Sequence, residues 1–222
     1  MHLKKLIEGY RQFHRDYFKN DPAVYDKLVK EGQSPEVLMI ACSDSRTDPA
    51  LVTNSMPGDL FVVRNVAAII PPYEKGGGYH GTSAAIEFAV RSLKVKHIVV
   101  LGHALCGGVM ALANREKVCK DYEFLESWVS IGQSALAEVE SQLKGESQEM
   151  RQRALEQAVI VTSLKNLMTF PWVADKVESG EIILHGWYFD LESGKLMEFD
   201  PATSLFKNIV SKSIKEAVKP AA

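Results

Sequence analysis

Two short stretches hold the residues best suited to chemistry. Cys42-Ser43-Asp44-Ser45-Arg46 follows the apolar run 37–41, and Gly102-His103-Ala104-Leu105-Cys106-Gly107-Gly108 follows the run 97–101. A thiolate, an imidazole and a second thiolate form a ligand set that suits zinc, and three protein ligands leave one tetrahedral position open for water or substrate. Each stretch begins where a buried strand would end, which is where open α/β sheets collect their ligands. Singly, Cys42 could be a small buried apolar residue and His103 a hydrogen-bonded turn residue. Their joint placement, with His103 and Cys106 in H-x-x-C spacing, favours a metal site holding one ion per chain.

Asp44 and Arg46 follow Cys42 at steps of two, so a locally extended turn projects all three side chains to one side. Asp44 then either ligates the metal or accepts a hydrogen bond from a metal-held hydroxide while Arg46 keeps it ionised. The plainer alternative is a surface ion pair that caps the next helix. Cys106 and its glycines read as the start of a helix over 107–113, whose N-terminal dipole favours the thiolate. Cys119 has no His or Cys at ligand spacing and reads as structural; His2, His14, His80, His97 and His185 read as surface or packed residues. Residues 76–81 satisfy G-x-G-x-x-G but follow Pro71-Pro72-Tyr73-Glu74-Lys75 rather than a strand, so the dinucleotide motif lacks its context.

The elements that must position these groups alternate. Short apolar runs at 36–41, 60–63 and 95–101 read as strands, and 82–93 has helical spacing between the second and third. Such alternation implies a parallel sheet with right-handed crossovers. Helices are expected over 122–143 and 148–168, then a hairpin of 181–189 and 195–199 around Asp190-Leu191-Glu192-Ser193-Gly194. The fold class is α/β: a mostly parallel central sheet with an antiparallel edge strand, flanked by helices. Apolar and aromatic residues three and four apart over 3–29, broken near Asp21-Pro22, mark an N-terminal helical arm. One domain, 1–222, is expected, with the arm at 1–30, a core at 36–200, and a C-terminal helix or tail at 201–222 that frays at its end.

At 222 residues, with 46% hydrophobic and 24% charged, the chain has the composition of a folded protein rather than a disordered one. A formal charge of −2 and no basic stripe argue against nucleic-acid binding. The longest apolar runs fall far short of the ~20 residues of a membrane span. Lys4 and Lys5 lead into Glu8 rather than an apolar segment, so a cytoplasmic location is expected, where three cysteines stay thiols or metal ligands.

CSDSR at 42–46, PGDLFVVRNVA at 57–67, GTSAAIEFAV at 81–90 and GHALCGG at 102–108 resemble the β-class carbonic anhydrase family, which hydrates carbon dioxide to bicarbonate. LKNLMTFPWV and HGWYFD echo it more weakly. The resemblance implies Cys42, His103 and Cys106 as zinc ligands and Asp44 with Arg46 as the catalytic dyad. It implies Gln33 as a substrate-orienting donor, Phe61, Val66 and Phe88 in the apolar wall, and the amide of Gly107 at the pocket. Met39 stands where a bicarbonate-regulated subtype carries a tryptophan, which favours the always-open, plant-like subtype. Two departures stand out: Phe88 where a tyrosine is common, and Arg91-Ser92 where plant members carry a histidine suspected of relaying protons. The family also implies self-association as a dimer or a dimer-based oligomer, with the pocket at the dimer interface. Two thiolates offset the ion's charge, so activity is expected to climb through mildly alkaline pH. The alternatives are a hydrolase of carbon disulfide or carbonyl sulfide on the same chemistry, or a non-catalytic zinc-stabilised module.

Overall fold

Every residue of β1 (Val37–Cys42) is small or apolar and all but the first are buried, as a strand covered on both faces requires. It pairs in parallel with β2 (Leu60–Asn65) on one side and β3 (His97–His103) on the other. A fourth parallel strand, β4 (Ile183–Phe189), follows, and β5 (Leu196–Asp200) and β6 (Leu205–Asn208) continue the sheet antiparallel. These strands belong to a computed structural model that describes residues 3–76, 78–118 and 120–209. The order β2-β1-β3-β4-β5-β6 grows outward from β1 in both directions, so a crevice opens beyond the carboxyl ends of β1 and β3.

The arm consists of α1 (Leu3–Arg15) and α2 (Ala23–Glu31), separated by a π-helical turn and the expected break at Asp21-Pro22. A short α3 (Pro49–Thr53) links β1 to β2, and α4 (Gly81–Glu87) widens into π-helical turns before β3. After β3 come α5 (Gly107–Ala113), α6 (Arg115–Val118), α7 (Leu125–Val129), α8 (Gln133–Gln142), α9 (Gln148–Leu167) and α10 (Pro171–Glu178). One sheet face, with Leu38, Ile40, Ile98 and Val100, shares a core with Ile160 and Leu167 of α9. Gly102 permits the close approach: a Cβ there would stand 2.6 Å from Ile160 Cδ1. On the opposite face Met39, Ala41, Val99 and Leu101 pack beside Trp187 and Phe189. Burying one such aliphatic side chain stabilises the fold by about 1.5–3 kcal/mol.

Two expectations are corrected. The helix expected over 122–143 is two helices, α7 and α8, joined by a 3-10 turn at Ser130–Gly132, where a Cβ on Gly132 would stand 2.7 Å from Leu112 Cδ2. Within the expected C-terminal helix or tail, Leu205–Asn208 is instead the edge strand, so β5 is not the edge. Phe206 pins it, its ring 5.4 Å from Phe199 and 6.1 Å from Tyr188. A four-residue alternation is too short to stand out in a sequence. Residues 210–222, and with them the fraying end, lie outside the described residues. Among the described residues no helix is long and apolar enough to cross a membrane.

Candidate metal centre

Cys42 is the last residue of β1 and His103 the last of β3, and the β1–β3 register of Ala41 against Leu101 brings the two ends side by side. Beyond His103 the chain turns sharply. Ala104 N–H reaches the Phe189 carbonyl at 2.9 Å, Leu105 takes a left-handed φ of 57°, and Cys106 caps α5. All three side chains are buried, and their ligand atoms lie within 4.8 Å of one another.

The donor geometry fits zinc. The two sulfurs are 3.9 Å apart, against about 3.8 Å for two tetrahedral ligands at 2.3 Å from the ion. His103 Nδ1 is satisfied by the Ala104 carbonyl at 2.8 Å, which leaves Nε2 facing the sulfurs as a buried polar atom without a hydrogen bond. A second nitrogen tied down in this way is the usual support for a ligating imidazole. The hydrogen bond from Cys106 draws the Cys42 thiol below its ordinary range; the same contact and burial push Cys106 up. One proton therefore leaves the pair readily and the second yields to a cation. Burial opposes charge on His103, but the Cys42 sulfur and the Ala104 carbonyl raise its imidazole overall.

Asp44 faces this cluster without belonging to it, its Oδ2 3.9 Å from His103 Nε2. Arg46 forks onto both its oxygens, Nε to Oδ1 at 2.9 Å and Nη2 to Oδ2 at 2.7 Å. These bonds hold the Asp44 carboxyl far below its usual range against the opposing effect of burial. Arg46 Nη2 also donates to the Leu105 carbonyl at 3.0 Å, which ties the two ligand turns together.

Three supports were not read from the sequence. Arg64 donates to the Cys42 carbonyl at 3.0 Å, the Asp44 carbonyl at 2.7 Å and Asp48 at 2.9 Å. Glu156 of α9 accepts from the Cys106 main chain and from Tyr188. Ala67 and Ala68 take left-handed φ values of 66° and 54°, held by Asn166 on the Ile70 carbonyl and by Ser163. The one available signal was Glu156, an acidic residue among the buried positions of a helix.

The expected pocket residues divide. Val66 follows β2 directly and presses on the glycine turn, since a Cβ on Gly108 would stand 2.6 Å from Val66 Cγ1. Gly107 opens α5, exposed and with free space around its α-carbon. Phe61 and Phe88 pack on each other at 5.8 Å, but Phe61 pairs with Leu38, near the amino end of the sheet. Gln33 is exposed before β1, without a hydrogen bond among the described residues. A six-residue strand spans roughly 17 Å, so Gln33 and the Phe61–Phe88 pair lie well away from Cys42 of their own chain. Elsewhere, His97 and His185 hydrogen-bond each other at 3.1 Å, a pairing across strands that sequence spacing hides. No strand stands among the described residues of 66–80, so the glycine-rich motif lacks its context here too; Cys119 and His2 are not among the described residues.

A mostly parallel sheet with a thiol–imidazole–thiol cluster at its switch point defines an α/β protein built for metal-dependent chemistry. Residues 37–196 match the family model described as carbonic anhydrase. The chain is 34% identical to a carbonic anhydrase of Synechococcus elongatus over 202 residues, 91% of this chain and 73% of that protein. It is similar to the solved β-carbonic anhydrase CcaA, with a TM-score of 0.88, 33% identity, and coverage of 96% and 93% of the two chains. A tetrameric β-carbonic anhydrase of Sordaria macrospora gives a TM-score of 0.71, 30% identity, and coverage of 88% and 92%. The chain belongs to the carbonic anhydrase family, in its β class, and its activity is the reversible hydration of carbon dioxide to bicarbonate. Neither hydrolysis of carbon disulfide or carbonyl sulfide nor a non-catalytic module is favoured beside this.

Proposed function

We propose that Cys42, His103 and Cys106 bind one zinc ion per chain and that Asp44 and Arg46 orient the attack on carbon dioxide. The observation that carries this is the buried Nε2 of His103, without a hydrogen bond and turned toward two sulfurs 3.9 Å apart. When bound, zinc supplies the Lewis acidity that activates water. Asp44, kept ionised by the Arg46 fork, accepts a hydrogen bond from the nucleophile and aims its lone pair at the carbon. The engagement of both its oxygens by Arg46, and its place outside the mutually close Cys42–His103–Cys106 group, support the dyad role over ligation, and with it the open subtype. Val66 gives apolar substrate an apolar wall, and the Gly107 amide, free of the helix ladder, is available to the product's oxygen.

Gln33, Phe61 and Phe88 complete the pocket from a second copy. Their position at the far end of β1 supports this reading, as do the exposed Leu3, Leu6, Ile7 and Tyr10 on α1, a helix with no buried residue. The assembly is a dimer or a dimer-based oligomer. Its place is the cytoplasm, where Cys42 and Cys106 stay reduced and able to bind metal.

The test is carbon dioxide hydration, followed by stopped flow, before and after chelation, with zinc counted per chain. Stoichiometric zinc, loss on chelation and recovery on adding zinc are expected. Full activity in protein stripped of metal would overturn the reading.

A further inference from the structure

Helix α9 buries a carboxyl group that the reaction does not use. Glu156 is 2% exposed and lies among Leu155 and Val159, which pack with α5 and α8, and Ile160, which packs on the sheet. A buried carboxyl is unfavourable unless its lone pairs are met, and here three donors from separate places meet them. The Cys106 main-chain N–H reaches Oε1 at 3.1 Å, the Gln152 side-chain amide reaches Oε1 at 3.0 Å, and the Tyr188 hydroxyl reaches Oε2 at 2.7 Å. Arg153 stands 3.7 Å from Oε2 and pairs with Glu192 at the surface.

The first of these bonds lands on a metal ligand's own backbone. Cys106 sits at the mouth of α5, where no earlier helical carbonyl can receive its N–H, and it follows Leu105 in a left-handed conformation that the chain does not favour. The Cys42 turn is secured in the same manner with the polarity reversed, by Arg64 donating to carbonyls. We propose that Glu156 is a positioning residue of the metal centre. It fixes Cys106 through the main chain, so that one sulfur holds its place relative to Cys42 and His103. Reach, rather than charge, is what the carboxyl contributes.

This rests on the metal reading above, and the two fail separately: wild-type protein without stoichiometric zinc sinks that reading, whereas the variants below bear on Glu156 alone. Glu156→Gln keeps the length and an acceptor oxygen but loses the charge. Glu156→Asp keeps the charge and withdraws the acceptor by one methylene. Zinc transfer to a chromogenic chelator and the thiolate charge-transfer absorption of the cobalt-substituted proteins are measured, with circular dichroism and the thermal midpoint alongside. The expected result is zinc release about tenfold faster or more from Glu156→Asp, with an altered cobalt spectrum, and release within about threefold of wild type from Glu156→Gln. The opposite ranking, or release rates that merely follow the thermal midpoints, would overturn the proposal. If Glu156→Asp does not fold, Glu156→Gln decides: wild-type release and cobalt spectrum support reach, and tenfold faster release from folded protein refutes it.

Discussion

The carboxyl end of the parallel strands and the N-terminal arm are built on opposite plans. At the carboxyl end, Cys42, His103 and Cys106 are buried, Arg46 ties their turns to each other, and Arg64 and Glu156 tie them to β2 and α9. In the arm, Phe13 packs on Tyr17, Phe18 and Tyr25 within 6.0 Å, so α1 and α2 hold each other, yet no residue of either helix is buried. The metal centre is thus complete within one chain. The arm leaves its apolar side chains exposed, and Phe61 and Phe88, expected in the pocket wall, sit at the sheet end away from Cys42. On the proposed reading, assembling ligands and assembling the substrate pocket are separate tasks, and substitutions should separate them.

The largest effect falls on the self-contained end. Cys106→Ser should lose stoichiometric zinc and bring hydration down to that of the metal-stripped protein, checked by elemental analysis beside stopped flow; full zinc at wild-type turnover would break the comparison. Asp44→Asn should keep its zinc and lose turnover by about 10²-fold or more, the scale for a nucleophile left unaimed. Retained turnover at equal zinc content would remove Asp44 from the reaction. The arm comes next. Leu6→Asp combined with Tyr10→Asp should yield folded monomers by light scattering, with zinc intact and hydration reduced about tenfold or more through loss of the partner's orienting groups. A fully active monomer would show that one chain builds its whole pocket.

The smallest effect lies far from both regions. Lys207 holds the Asp200 carboxyl down at about 2, below its ordinary 3.8. A carboxyl depressed in the folded state adds stability above its unfolded value, and that share disappears as pH falls through the folded value. Lys207→Ala should therefore unfold slightly below wild type near neutral pH, and the two thermal midpoints should converge as pH drops from about 4 toward about 2. A constant gap across that window would mean that the pair contributes nothing through charge.

Much of the fold was legible because its signals are local. β1 reads as doubly covered from six consecutive small or apolar residues, and the break in the arm from Asp21-Pro22. The helix split at Ser130–Gly132 was not, because it answers to the side chain of Leu112 in another helix. Nor was β6, whose four residues become a strand through the rings of Phe199 and Tyr188.

By itself the sequence determined the donor set: two thiols and an imidazole, each placed just after a run that must be a strand, with an Asp and an Arg in step behind the first. Tertiary structure alone decided that Glu156 stands behind Cys106, fifty residues away, and that Gln33 lies at the wrong end of its own β1. The physical reason is range. Periodicity and ligand spacing are written in neighbours a few residues apart, whereas a hydrogen bond between α9 and the α5 turn exists once the sheet has brought them together.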